Sequence, residues 1–184
     1  MKQKVITLIR GLCLTAVLWL VTPDSMAQNC QVVVSRPEIQ LGKQRHVANA
    51  GTLFTQQEVT VAAECAGAGP ITLLIDGMSD EGGQHFRFGA MGKMTLSLLA
   101  AQYDGSNTGL RLSSASQGER QLSPEPSVLL APGSQLTTLA TGAADKETHL
   151  LIVQLRLDFP AAGDEGRIRD LTEMDGQVRF EARQ

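Results

Sequence analysis

The amino-acid sequence predicts an all-β domain, and three observations carry that expectation. Apolar residues recur in short runs with period-two alternation, the signature of half-buried strands. Glycine, proline and Asp-Gly pairs break those runs roughly every 8–15 positions. No segment keeps a capped helical period over ten or more residues. A chain of 184 residues with 42% apolar residues is long enough for one domain with its own core, and a β-sandwich is the architecture these runs fit.

The first element is a leader. Lys2, Lys4 and Arg10 precede the apolar stretch Gly11 to Val21, which Pro23 and Asp24 end. Ser25-Met26-Ala27 then supplies small residues where a signal peptidase cuts, so residues 1–27 read as a secretory signal peptide and 28–184 as the mature domain. Eleven apolar residues fall short of the roughly twenty a membrane span needs. Cleavage removes Cys13, Trp19 and three positive and one negative charge, which takes the formal net charge from −3 to −5. Two cysteines remain, Cys30 and Cys65, 35 residues apart. An even pair in an exported chain predicts a disulfide, worth roughly 4 kcal/mol on the chain-entropy model.

The strands follow in order. Gln31–Ser35 begins directly after Cys30, and Val59, Val61, Ala63 and Cys65 alternate with Thr60, Ala62 and Glu64. Ile71, Leu73 and Ile75 share a face and lead to Asp76-Gly77, while Phe86 and Phe88 flank Arg87. Thr95–Tyr103 ends at Asp104-Gly105, although the Leu, Ala and Met content of 91–102 also suits a short helix. Leu110 and Leu112 come next. Thr148–Phe159 is the longest alternating run, and Val178, Phe180 and Ala182 form the last apolar face. Asp76-Gly77, Asp104-Gly105 and Asp175-Gly176 all carry the residue chemistry of tight turns, as does Pro132-Gly133.

Composition and motif content weigh against several function classes. A net acidic chain lacks the clustered basic face of a nucleic-acid binder. His46, His85 and His149 are isolated from one another and from cysteine or carboxylate partners at metal-ligand spacing, so neither a metal nor another cofactor is expected. Asp76, Asp80 and Glu81 share a glycine-containing loop but lack the ligand register of a calcium loop, and read as a solvated acidic turn. The mixed charged stretch around Arg167, Arg169 and Asp170 reads as a solvated connection. With no G-x-S-x-G, P-loop or dinucleotide fingerprint, the chain is not expected to be an enzyme.

One longer pattern stands out. A cysteine opens an apolar strand, Ile39-Gln40-Leu41-Gly42 follows, and an alternating strand with Phe54, Val59 and Val61 leads to the second cysteine. A Leu-rich strand into Asp104-Gly105, a Leu130-Ala131-Pro132-Gly133 turn, a long apolar strand and a C-terminal alternating strand complete it. This arrangement, from Cys30 to Gln184, resembles the pilin domains of chaperone–usher fimbriae of Gram-negative bacteria.

The resemblance implies an immunoglobulin-like sandwich that is incomplete, lacking its last strand. Such a domain accepts a donated strand, first from a periplasmic pilus chaperone and then from a neighbouring pilin subunit, with an outer-membrane usher guiding export to the cell surface. The donor-strand groove would be walled by Val32 and Val34 on the first strand and by Val178, Phe180 and Ala182 on the last. The carboxylate of Gln184 would be the chaperone's anchor. Two features depart from the family: Arg183 stands where a penultimate tyrosine is usual, and the nearest glycine to the end is Gly176. Cleavage after Ala27 would also leave only Gln28 and Asn29 before Cys30, too short to form a donor strand at about 3.3 Å per residue. That points to a minor or tip subunit that accepts a strand without giving one, possessing a role in cell adhesion if its tip position is adhesive. The competing expectation is a self-contained secreted or periplasmic β-sandwich binding module.

Overall fold

The computed structural model describes residues 30–41, 55–67, 69–89, 92–123, 128–139, 146–159 and 175–184. The leader, His46, Phe54 and the charged stretch around Arg167 lie outside the described residues. Twelve strands and no helix are found among those described. Cys30–Val34 (β1), Thr55–Ala66 (β2), Thr72–Gly77 (β3) and Phe86–Phe88 (β4) come first. Gly92–Tyr103 (β5), Ser106–Asn107 (β6), Leu110–Ser114 (β7) and Gly118–Leu122 (β8) follow. Val128–Leu130 (β9), Ser134–Thr138 (β10), Thr148–Phe159 (β11) and Val178–Arg183 (β12) complete the set.

These strands form two antiparallel sheets. One runs β1-β2-β11-β5-β4, with β6 and β9 also paired to β5, and the other runs β12-β3-β10-β7-β8. The backbone of the first sheet is the β2–β11 ladder, in register from Thr148 opposite Ala66 to Phe159 opposite Thr55. Alternation places Val59, Val61, Ala63 and Cys65 of β2 beside His149, Leu151, Val153 and Leu155 of β11 on the inward face. The second sheet contributes Ile75 and Leu73 from β3, Leu136 from β10 and Leu110 and Leu112 from β7, all fully buried, with Ile71 just ahead of β3. At about 25 cal/mol per Å² of apolar surface removed from water, this shared core is what holds the sheets together. The all-β sandwich and its single disulfide, Cys30–Cys65, are therefore as the sequence predicts.

The helical alternative for 91–102 does not hold: Gly92–Tyr103 is a strand. Its composition misleads because a β-bulge interrupts the alternation. Leu155 pairs with Leu98 and Gln154 with Ala100, so Leu99 is an extra residue without a counterpart, and the run Leu98–Ala101 loses its period of two.

The Asp-Gly pairs divide into turns and close approaches. Asp104 and Gly105 have φ of 50° and 81° and form the tight connection between β5 and β6. Gly133, at φ 78°, likewise turns the chain between β9 and β10. Asp76-Gly77 is not a turn: it ends β3 and pairs with Arg179 and Val178. A Cβ on Gly77 would stand 2.7 Å from the Gln177 carbonyl oxygen and 2.9 Å from the Phe86 ring, so the glycine is required by crowding. Gly176 similarly lies against Phe88 and the Arg87 carbonyl.

Candidate functional site: two open sheet edges

Among the described residues, β1 is the edge of its sheet, bonded to β2, and β12 is the edge of the other, bonded to β3. The two edges lie on the same side of the sandwich, where their Cα atoms come within 8 Å of each other without belonging to one sheet. β1 starts beside the end of β2 through the Cys30–Cys65 pair. β12 runs toward the same end, where Gln184 meets Gly67. The two edges are therefore antiparallel to one another, each with an outer row of backbone donors and acceptors that no described strand pairs.

Side-chain burial distinguishes these strands from the interior. The residues that the pilin resemblance places in a groove, Val32, Val34, Val178, Phe180 and Ala182, all face inward and pack on the core, yet each remains only partly buried. Their neighbours one strand inward, Val61, Ala63, Leu73 and Ile75, are 0–1% exposed. A partly buried apolar row on two edges that no described strand pairs has the chemistry an extended segment matches, with backbone hydrogen bonds and alternate apolar side chains. Ile39 and Leu41, beyond β1, are also partly buried against the core.

The disulfide fixes one end of this region, joining Cys30 to Cys65 directly across the β1–β2 ladder. Gln184 closes the same end with its side chain, whose amide donates to the Gly67 carbonyl at 2.8 Å and the Gly69 carbonyl at 3.0 Å. Sequence reasoning placed only a carboxylate role on Gln184 and carried no signal for this side-chain clasp, which joins residues more than a hundred positions apart.

A second polar arrangement lies near that end. His149, 1% exposed at the start of β11, stacks on Tyr103 at 5.7 Å and places Nδ1 2.7 Å from Asp104 Oδ2. Asp104 also accepts from the Leu150 amide at 3.0 Å and pairs with Lys146 at 3.6 Å. Burial pushes the Asp104 carboxyl up, but hydrogen bonds from His149 and the Leu150 amide and attraction to His149 and Lys146 outweigh it and hold the carboxyl below its ordinary value. Neither residue was singled out from the sequence as a pair, because 45 positions separate them.

The acidic loop is occupied with its own architecture. Asp80 accepts from the backbone amides of His85 and Gln84, each at 3.1 Å, and ion-pairs with Lys93 at 3.2 Å. The His85 amide, ahead of Lys93 and the Gln84 amide, holds this carboxyl below its ordinary value against the opposing effect of burial. Among the described residues no group of three or more histidine, cysteine or carboxylate side chains could hold a metal ion.

Comparison with protein-family models, characterised proteins and solved structures finds no match to this chain.

Proposed function

We propose that this chain is a strand-accepting subunit of a chaperone–usher fimbria, assembled by donor-strand complementation. The observation that carries the reading is the pair of open edges, β1 and β12, with the half-buried row Val32, Val34, Val178, Phe180 and Ala182 between them. The strand order supports it. In an immunoglobulin-like sandwich one sheet runs A-B-E-D and the other carries C, F and G, with F between C and G. β1-β2-β11-β5 follows the first order and β3-β12 follows C-F, while no described strand occupies the G position beside β12.

The occupant of that position is a donated strand with apolar residues at alternate positions, first from a periplasmic chaperone and then from a neighbouring subunit. Its backbone would complete the β12 edge, and its inward side chains would cover the apolar row. Placement at a minor or tip position rests on the expected cleavage after Ala27, which N-terminal sequencing of the exported protein tests; a mature start near Val21 or earlier contradicts it.

Periplasmic expression with and without a fimbrial chaperone tests the assembly role. With the chaperone, a soluble 1:1 complex is expected, and without it, a lower yield of a marginally stable domain that a donated strand stabilises. A soluble monomer that unfolds cooperatively and ignores the chaperone would instead favour a self-contained binding module.

A further inference from the structure

His149 has chemistry that strand acceptance does not use. Nδ1 is committed to Asp104, whereas Nε2 is buried with no hydrogen-bond partner while the disulfide is intact. Directly opposite His149 in the β2–β11 ladder stands Cys65, and opposite Cys65 in the β1–β2 ladder stands Cys30. His149 and Cys65 share the inward face, at 1% and 0% exposure. Directly opposed residues of an antiparallel pair hold their Cβ atoms about 5 Å apart, which brings an imidazole within reach of a thiol. Cys30, at the sheet edge, is only partly buried.

We propose that the His149–Asp104 pair makes Cys65 the stabilised thiolate of the disulfide couple, so that external thiols exchange with this bond at Cys30. A thiolate attacks Cys30 Sγ, the more accessible sulfur. A new bond forms between the incoming sulfur and Cys30, the Cys30–Cys65 bond breaks, and its electron pair stays on Cys65 Sγ. Exchange is faster when the leaving thiol has a low pKa, and a neighbouring imidazolium lowers it. A second thiol then attacks the incoming sulfur of the mixed disulfide, releasing the oxidised thiol and the Cys30 thiolate. Overall two thiols become one disulfide as the protein disulfide becomes two thiols. The reverse sequence makes Cys65 the resolving nucleophile when a disulfide oxidant forms the bond.

The orphaned nitrogen supplies the thermodynamic reason. With Nδ1–H donated to Asp104, Nε2 of the neutral ring is an acceptor that finds no donor in the oxidised protein. In the reduced protein it can accept from the Cys65 thiol or, once protonated, donate to the thiolate. Asp104, itself paired with Lys146 at 3.6 Å, orients the ring through Nδ1. Glu64, next to Cys65, and Glu147 are exposed, and Gln31, next to Cys30, is uncharged.

The test uses the exported chain and reduced glutathione, with acid quenching at short times and mass-spectrometric mapping of the adduct. Glutathione on Cys30 with Cys65 free, at a rate proportional to glutathione concentration, is the expected result. His149→Gln is expected to slow the reaction by about tenfold or more. Adducts on Cys65, or a rate independent of glutathione concentration because the protein must first unfold, would overturn the proposal. So would a folded His149→Gln variant that reacts as fast as the parent. If that variant does not fold, the adduct position and concentration dependence in the unaltered chain still decide.

Discussion

The side-chain amide of Gln184 donates to both Gly67 O and Gly69 O, tying the end of β12 to the turn that follows β2. Gly67 sits at φ +111°, and a Cβ there would stand 2.8 Å from Gln184 Oε1. Gln184→Ala removes two neutral hydrogen bonds at a partly exposed site and is expected to lower stability by about 1 kcal/mol in urea denaturation. Gly67→Ala is expected to cost more, about 1–3 kcal/mol, because it adds an unfavourable backbone conformation to the same lost clasp. Equal stability of Gly67→Ala and the parent would contradict this account of the turn.

Core and edge substitutions should separate. Leu155 is fully buried on β11, and Leu155→Ala is expected to cost about 2–5 kcal/mol. Phe180 is packed on only part of its surface, so Phe180→Ala should cost less than the usual 3–5 kcal/mol for a buried phenylalanine, about 1–2 kcal/mol in the isolated domain. Its cost should then rise when a strand covers the row. Chemical denaturation of both variants, with and without a strand-donating peptide, measures the difference.

Acid should destabilise the fold through Asp104 and Asp80. Each carboxyl is held below its ordinary value when folded, so the unfolded chain binds these protons more tightly. The stabilisation is full above the ordinary carboxylate pKa, about 4, and is lost as pH falls through the folded values. Asp104→Asn should flatten this part of the stability profile as pH falls below about 4. A urea midpoint for that variant that falls as steeply as the parent's would contradict the assignment.

The disulfide closes a loop with a sequence separation of 35. Replacing both cysteines by alanine is expected to lower stability by about 4 kcal/mol, measured by denaturation of the variant beside the oxidised parent. A loss below about 1 kcal/mol would mean that the β1–β2 pairing holds without its covalent tie.

The elements that were legible in the sequence are those in which one face alone decides the pattern. Thr148–Phe159 alternates without interruption, and β11 has those same bounds. β12 was equally plain from Val178, Phe180 and Ala182. β8 carries no alternation to read because, as an outer edge strand, only Leu122 of its five residues is buried. β5 was ambiguous because its bulge at Leu99 disrupts the period. Turn chemistry was readable at Asp104-Gly105 but not at Asp76-Gly77, since the same dipeptide serves a strand end crowded by Gln177 and Phe86. Of the candidate site, the apolar edge residues were legible as alternation. The Gln184 clasp and the Asp104–His149 pair were not, since each exists only after distant strands are brought together.

Strand acceptance is tested most directly by adding a synthetic peptide, with apolar residues at alternate positions, to the isolated domain and measuring its urea midpoint against peptide concentration. The account predicts a midpoint that climbs with concentration, reaching about 2.7 kcal/mol of added stability at a hundred times the dissociation constant, and a climb largely lost in Phe180→Ala. A midpoint that stays constant across the titration, in a domain that is already a stable monomer, would contradict it.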